Sequence, residues 1–191
     1  SYEVMLVKML RTVPETERSK VASWINRDGM TLLHHAAKSG SHMSIHELLA
    51  LYPEPERLQV VRNRDFRGQT VLHHAVASGN LESIKAIIQL LPESERSQAV
   101  RMQNAFGSTL LHYGSVSKSH EISQFLLRLL PEAERLQFLS IRDWYKQTAL
   151  HCAAESESDS VERVKHLLSL YQESERPQAV RMEGRNGRTV L

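Results

Sequence analysis

A short phrase that recurs along the whole chain most constrains its fold. Thr31-Leu32-Leu33-His34 returns as Thr70-Val71-Leu72-His73, Thr109-Leu110-Leu111-His112 and Thr148-Ala149-Leu150-His151, and Thr189-Val190-Leu191 opens another copy. The threonines stand 39, 39, 39 and 41 residues apart. A second phrase keeps the same step: Pro14-Glu15-Thr16-Glu17-Arg18, Pro53-Glu54-Pro55-Glu56-Arg57, Pro92-Glu93-Ser94-Glu95-Arg96 and Pro131-Glu132-Ala133-Glu134-Arg135. Its last copy, Gln172-Glu173-Ser174-Glu175-Arg176, has lost the proline. Two phrases locked in phase mark a tandem array, whose units bury their apolar faces only against their neighbours. The longer fourth step places its extra residues in the polar stretch from Glu155 to Ser160, which reads as a lengthened loop.

Each unit resolves into local elements. Gly29, Gly68, Gly107 and Gly187 precede the threonines by two residues and mark tight turns, while Lys146 takes that place in the fourth unit. Threonine is a natural N-cap. A first helix then runs, for example, from Val71 to Ser78 and breaks at Gly79-Asn80. A second helix spaces Leu81, Ile84, Ile87, Ile88 and Leu91 on one face. Pro92 suits the first position of a third, short helix, with Glu93 and Glu95 favourable to its dipole. The expected core holds Leu33, Leu72, Leu111 and Leu150, with Ile45, Leu48, Leu49, Ile84, Ile87, Ile88, Leu126, Leu127, Val164, Leu167 and Leu168. Gly114 and Ser115 replace the alanine pair Ala36-Ala37 and predict looser packing in the third unit.

Gly-x-Thr-x-Leu-His-x-Ala followed by a second apolar helix resembles the ankyrin repeat, with its Thr-Pro-Leu-His-x-Ala phrase. Here Leu32, Val71, Leu110, Ala149 and Val190 stand in place of the proline, and the period exceeds the usual ~33 residues. The surplus lies in the Pro-Glu-x-Glu-Arg segment. A period near 40 also suits HEAT-type repeats, but those lack the Gly-x-Thr-x-Leu-His turn. The resemblance implies an all-α, ankyrin-type helical solenoid with short hairpin turns and an extra short helix per repeat. It divides one ankyrin-repeat domain, 1–191, into a partial repeat 1–25, repeats 26–64, 65–103, 104–142 and 143–183, and the start of a further one at 184–191. Partial units at both ends, and the absence of an initiator methionine, suggest a chain cut from something longer. The elongated unit also resembles ankyrin-repeat effectors secreted by intracellular bacterial pathogens, which implies the host-cell cytoplasm as the place of action.

Composition narrows the function classes. A net charge of +2, with basic and acidic residues interleaved, speaks against nucleic acid. The single cysteine, Cys152, allows no internal disulfide and fits a reducing, cytoplasmic setting. No apolar run is long enough for a membrane span, and the N-terminal segment is too short and mixed for a signal peptide.

Candidate chemical sites have plainer explanations. Of ten histidines, His34, His35, His73, His74, His112 and His151 belong to or adjoin the repeated phrase. The resemblance gives the phrase histidine a bond to the backbone of the adjoining turn. Stacked helices would hold these rings about 10 Å apart, too far to share a metal ion bound at ~2 Å. Cys152 sits where other units place His35, His74 and Tyr113, a packing position, and His151 beside it points elsewhere on the helix. The Glu-x-Glu-Arg copies read as helix-end charges, with Arg18, Arg57, Arg96, Arg135 and Arg176 laddered beside the acids. No catalytic constellation, metal site or cofactor is expected.

The remaining candidate is a protein-binding surface. The resemblance places it on the turn tips and first helices, which form the concave face of ankyrin proteins. The tip residues are Arg27 and Met30; Phe66, Arg67 and Gln69; Phe106 and Ser108; and Trp144, Tyr145 and Gln147. Aromatic residues and arginine are enriched at interface hot spots. The first-helix face adds Lys38, Ser39, Ala77, Ser78, Val116, Ser117, Glu155 and Ser156. The contrary reading has the tip aromatics folding back onto the neighbouring turn. The expected function is a monomeric, non-catalytic scaffold that binds another protein. The alternative is a recruiting arm for a catalytic domain elsewhere.

Overall fold

The computed structural model describes residues 8–117, 119–156 and 159–190. It is all helix and turn, and divides into two compact units, one ending at Pro92 and one starting at Glu93.

The first unit contains α1 (Glu15–Ala22), α2 (Leu32–Lys38), α3 (His42–Leu49), α4 (Glu54–Arg62), α5 (Val71–Ser78) and α6 (Leu81–Leu90). The first helices α2 and α5 pack side by side, the second helices α3 and α6 pair behind them, and α4 rests on α5 and α6. Small Ala36, Ala37 and Ala75 are fully buried and let the first helices approach. Leu33, Ile45, Ile84 and Ile87 fill the space between the two rows, each burial worth roughly 1.5–3 kcal/mol. The break at Gly79 is a left-handed C-cap, φ 78°, and the Asn80 side chain caps α6 by accepting from Ser83 N.

The second unit repeats the pattern with α7 (Glu93–Arg101), α8 (Leu110–Ser115), α9 (His120–Arg128), α10 (Glu132–Leu139), α11 (Ala149–Ala154), α12 (Ser160–Ser169) and α13 (Arg176–Arg181). Here α8 packs on α9 and α11, and α12 on α9 and α11. A 3₁₀ turn, Arg185–Gly187, follows.

The extra short helix of each repeat is present, with 8 or 9 residues in α1, α4, α7 and α10 and 6 in α13. Other expectations need correction. Pro14, Pro53 and Pro131 are N-caps with extended ψ near 140°, one place before the helix, and Pro92 likewise precedes α7. The ring fixes φ while the extended ψ turns the chain into the helix. Three of the motif arginines turn to backbone carbonyls, although Arg176 also stands 3.9 Å from Glu173. Arg57 Nε donates to the Tyr52 carbonyl (3.1 Å), Arg135 Nε to Leu127 (3.1 Å) and Arg176 Nε to Leu168 (3.0 Å). They satisfy carbonyls left over at the ends of the second helices, where a cation also suits the dipole.

Gly114 and Ser115 are buried, and the Ser115 hydroxyl donates to the His112 carbonyl at 2.7 Å, so polar substitution there is compensated locally. Val164 and Leu168 are only half-buried, whereas Arg163 is buried. Among the described residues, no further second helix follows α12 to cover its far side. The lengthened loop before α12 includes residues 157 and 158, which lie outside the described residues, as do residues 1–7 of the partial first repeat and Leu191 of the last.

Candidate functional site

Each of the first four tips is built around one short amide or acid side chain, where the fifth has Gly184. Asn26 Oδ1 accepts from the backbone N–H groups of Asp28 and Met30, both at 2.9 Å. Asp65 does the same for Arg67 and Gln69, Asn104 for Phe106 and Ser108, and Asp143 for Tyr145 and Gln147. Such side chains mimic a turn of backbone and stabilise it locally. The sequence reading missed this column, although its members stand 39 residues apart and five before each threonine. The turn closes through a left-handed residue, Gly29 at φ 78° and Gly107 at φ 77°. Lys146 adopts the same conformation at φ 63° and keeps the bond to the Asp143 carbonyl at 2.9 Å. The fourth turn therefore retains its geometry at the expense of backbone strain.

The other end of each turn side chain meets the residue after the motif histidine. His74 Nε2 donates to Asp65 Oδ2 at 2.9 Å, Asn104 Nδ2 to the Tyr113 hydroxyl at 2.8 Å, and Asn26 Nδ2 to His35 Nε2 at 3.2 Å. In the fourth repeat Cys152 takes this place. Burial above all, with the negative charges of Asp143 and Glu155, pushes its thiol up to about 12. That shift disfavours the thiolate, the reactive form of a cysteine.

Three motif histidines, His34, His112 and His151, each lock one repeat to the next. Thr31 N–H and hydroxyl both point at His34 Nδ1, at 3.2 and 2.8 Å, while His34 N–H reaches back to Thr31 Oγ1. The ring is thereby fixed with its proton on Nε2, which donates to the Asn63 carbonyl at 3.2 Å. His112 donates to Gln147 and His151 to Met182 in the second unit, at 3.0 and 2.8 Å. Gly184 makes room for the latter, since a Cβ there would lie 2.4 Å from the His151 ring. Burial, followed by the charge of His74, holds His34 down to about 4, and burial also lowers His112 and His74. His34 and His74 approach edge to face with centroids 5.5 Å apart, closer than the spacing expected for stacked repeats. The Nε2 of each is already committed to Asn63 and Asp65. Among the described residues no group of three or more His, Cys, Asp or Glu could hold a metal ion.

The tip residues divide by exposure. Phe66 is 71% exposed, Trp144 75%, Tyr145 49% and Phe106 39%. Arg27 and Arg67 are also exposed, and Gln69, Ser108 and Gln147 are half-buried. Met30 is only 6% exposed, so it offers little side chain to the tip surface. Ser117 is buried too; Lys38, Ser39, Ala77, Val116 and Glu155 are exposed and Ser78 and Ser156 half-buried. The structure brings Phe66 and Arg67 together on one tip, and Phe106, Trp144 and Tyr145 on adjoining tips of the second unit. Phe66 N donates to the Asp28 carbonyl at 2.9 Å and Trp144 N to Phe106 at 3.0 Å, stitching adjacent tips within each unit. Each ring lies with one edge over the glycine of the preceding tip: a Cβ on Gly29 would come within 2.6 Å of Phe66, and one on Gly107 within 2.8 Å of Trp144. The fold-back reading holds for that edge, while the greater part of each ring faces solvent.

Among the described residues no helix is long and apolar enough to cross a membrane. No curated protein matches the chain. Residues 5–95 match the family model described as ankyrin repeats, three copies. That match shows ankyrin repeats over residues 5–95, and the described residues as a whole fold as an all-α helical repeat; ankyrin repeats generally serve protein–protein interaction and are typically non-catalytic.

Proposed function

We propose that this chain is a non-catalytic interaction module whose turn tips hold a partner protein. The observation that carries the reading is Trp144, 75% exposed on a turn held rigid by Asp143. A large aromatic face fixed in water gains little for the free chain and much for a complex. Tyr145 and Phe106 extend this surface in the second unit, and Phe66 with Arg67 provides one in the first. The resemblance of the long repeat to bacterial effectors favours a host-cell cytoplasmic protein as the partner.

The test is affinity capture from eukaryotic lysate, followed by mass spectrometry, with wild type beside Phe106→Ala/Trp144→Ala. Both side chains lie outside the core, so the double variant should keep the wild-type urea midpoint and lose the captured protein. Identical capture by the two proteins would refute the tip assignment.

A further inference from the structure

We propose that the tips of the fourth and fifth repeats bind an acidic protein segment carrying an apolar side chain. The proposal rests on the tip-binding reading above and names its partner class. Between these tips, within the second unit, lies an open pocket of about 430 Å³. Its walls include Trp144 and Tyr145 on one tip and Arg185 and Asn186 on the other, with Arg142 and Lys146 at its edge.

Charge sets the kind of partner. Arg142, Lys146, Arg185 and Arg188 are all exposed. Among the described residues no carboxylate pairs with any of them. Elsewhere the second unit neutralises an exposed arginine, as Glu134 does for Arg101. At the tips Asp143 is buried and accepts from its own backbone, which leaves Glu183 as the exposed acid of the pocket wall. Arg142 is directed to the Glu183 carbonyl, and Arg185 lies over the Tyr145 ring with its guanidinium carbon 5.4 Å from the centroid. Arg142, Lys146 and Arg185 thus line the pocket together with Trp144 and Tyr145, with no carboxylate paired to them among the described residues.

A carboxylate-bearing segment would meet these cations while an apolar side chain covers Trp144. Such complementarity governs specificity and the rate of encounter. The pocket is the size of one or two side chains. The cations form a cluster and not the extended stripe that a nucleic-acid backbone requires.

The test is fluorescence anisotropy on the full chain with labelled short peptides: a repeated Glu-Glu-Leu, its Lys-Lys-Leu counterpart, and oligothymidine as a competitor class. Wild type should bind Glu-Glu-Leu at least about tenfold tighter than Lys-Lys-Leu, with affinity falling as salt rises. Lys146→Gly with Arg185→Ser should weaken the acidic peptide by roughly fivefold to tenfold. Lys146→Gly relieves a left-handed backbone, so loss of binding cannot be ascribed to unfolding. Equal affinity for the two peptides, undiminished binding by the double variant, or preference for oligothymidine would overturn the proposal. If it fails while Phe106→Ala/Trp144→Ala still loses its captured protein, the tips bind a partner of other chemistry. Failure of both experiments would reject the tip-binding reading as well.

Discussion

His112 Nε2 stands 3.0 Å from the carbonyl oxygen of Gln147, 35 residues further along the chain. The same ring receives the Thr109 N–H on Nδ1 at 3.1 Å, so one side chain both caps its own helix and fastens the next turn. His112→Ala would orphan two buried backbone groups and open a cavity beneath Gln147. We expect a loss of about 3 kcal/mol, read as a lowered urea midpoint, with a shift below a third of that disproving the double role.

Acid should destabilise the fold through these same rings. Burial holds His34 down to about 4 in the folded chain, against the ordinary histidine value of 6.5, so the folded protein prefers the neutral ring. This contribution is complete above the unfolded value and is lost as pH falls from there toward the folded value. At about pH 5 the deficit for His34 alone should be on the order of 2 kcal/mol. His112 and His74 add in the same direction. Urea midpoints measured between neutral and mildly acidic pH should decline, and the decline should be shallower in His34→Gln. A flat profile for wild type would contradict the neutral-ring assignment.

The strained turn offers a gain. Lys146 holds φ 63° where the first three tips use glycine. Lys146→Gly should stabilise the chain by about 1 kcal/mol, the relief of left-handed backbone less the added freedom of the unfolded chain. The converse, Gly107→Ala, combines φ 77° with a contact to Trp144 and should destabilise. Thermal melts of the two variants should move in opposite directions.

Leu111 lies fully buried in α8, between α9 and α11. Leu111→Ala should cost about 2–5 kcal/mol. Because each repeat supports only its neighbours, amide exchange in α8, α9 and α11 should accelerate together. Acceleration limited to α8 alone would argue against shared packing.

The sequence by itself determined the repeat. Apolar spacing, the threonine caps and the turn glycines are local, and each depends on residues only a few places apart. Val71–Ser78 could be delimited to the residue for that reason. The tips were legible as positions, because a hairpin between capped helices must lie at an edge.

What only the tertiary structure decided involves partners far along the chain. His34 meets Asn63 and His74, Arg57, Arg135 and Arg176 reach backbone carbonyls near helix ends, and Met30 is buried. A residue's type fixes the bonds it can make, but which atoms stand within 3 Å depends on how the repeats pack. For the same reason the sequence could list Arg142, Lys146 and Arg185 but could not show that they surround one aromatic pocket. That proximity is set by two successive tips docking side by side, which no spacing along a single chain encodes.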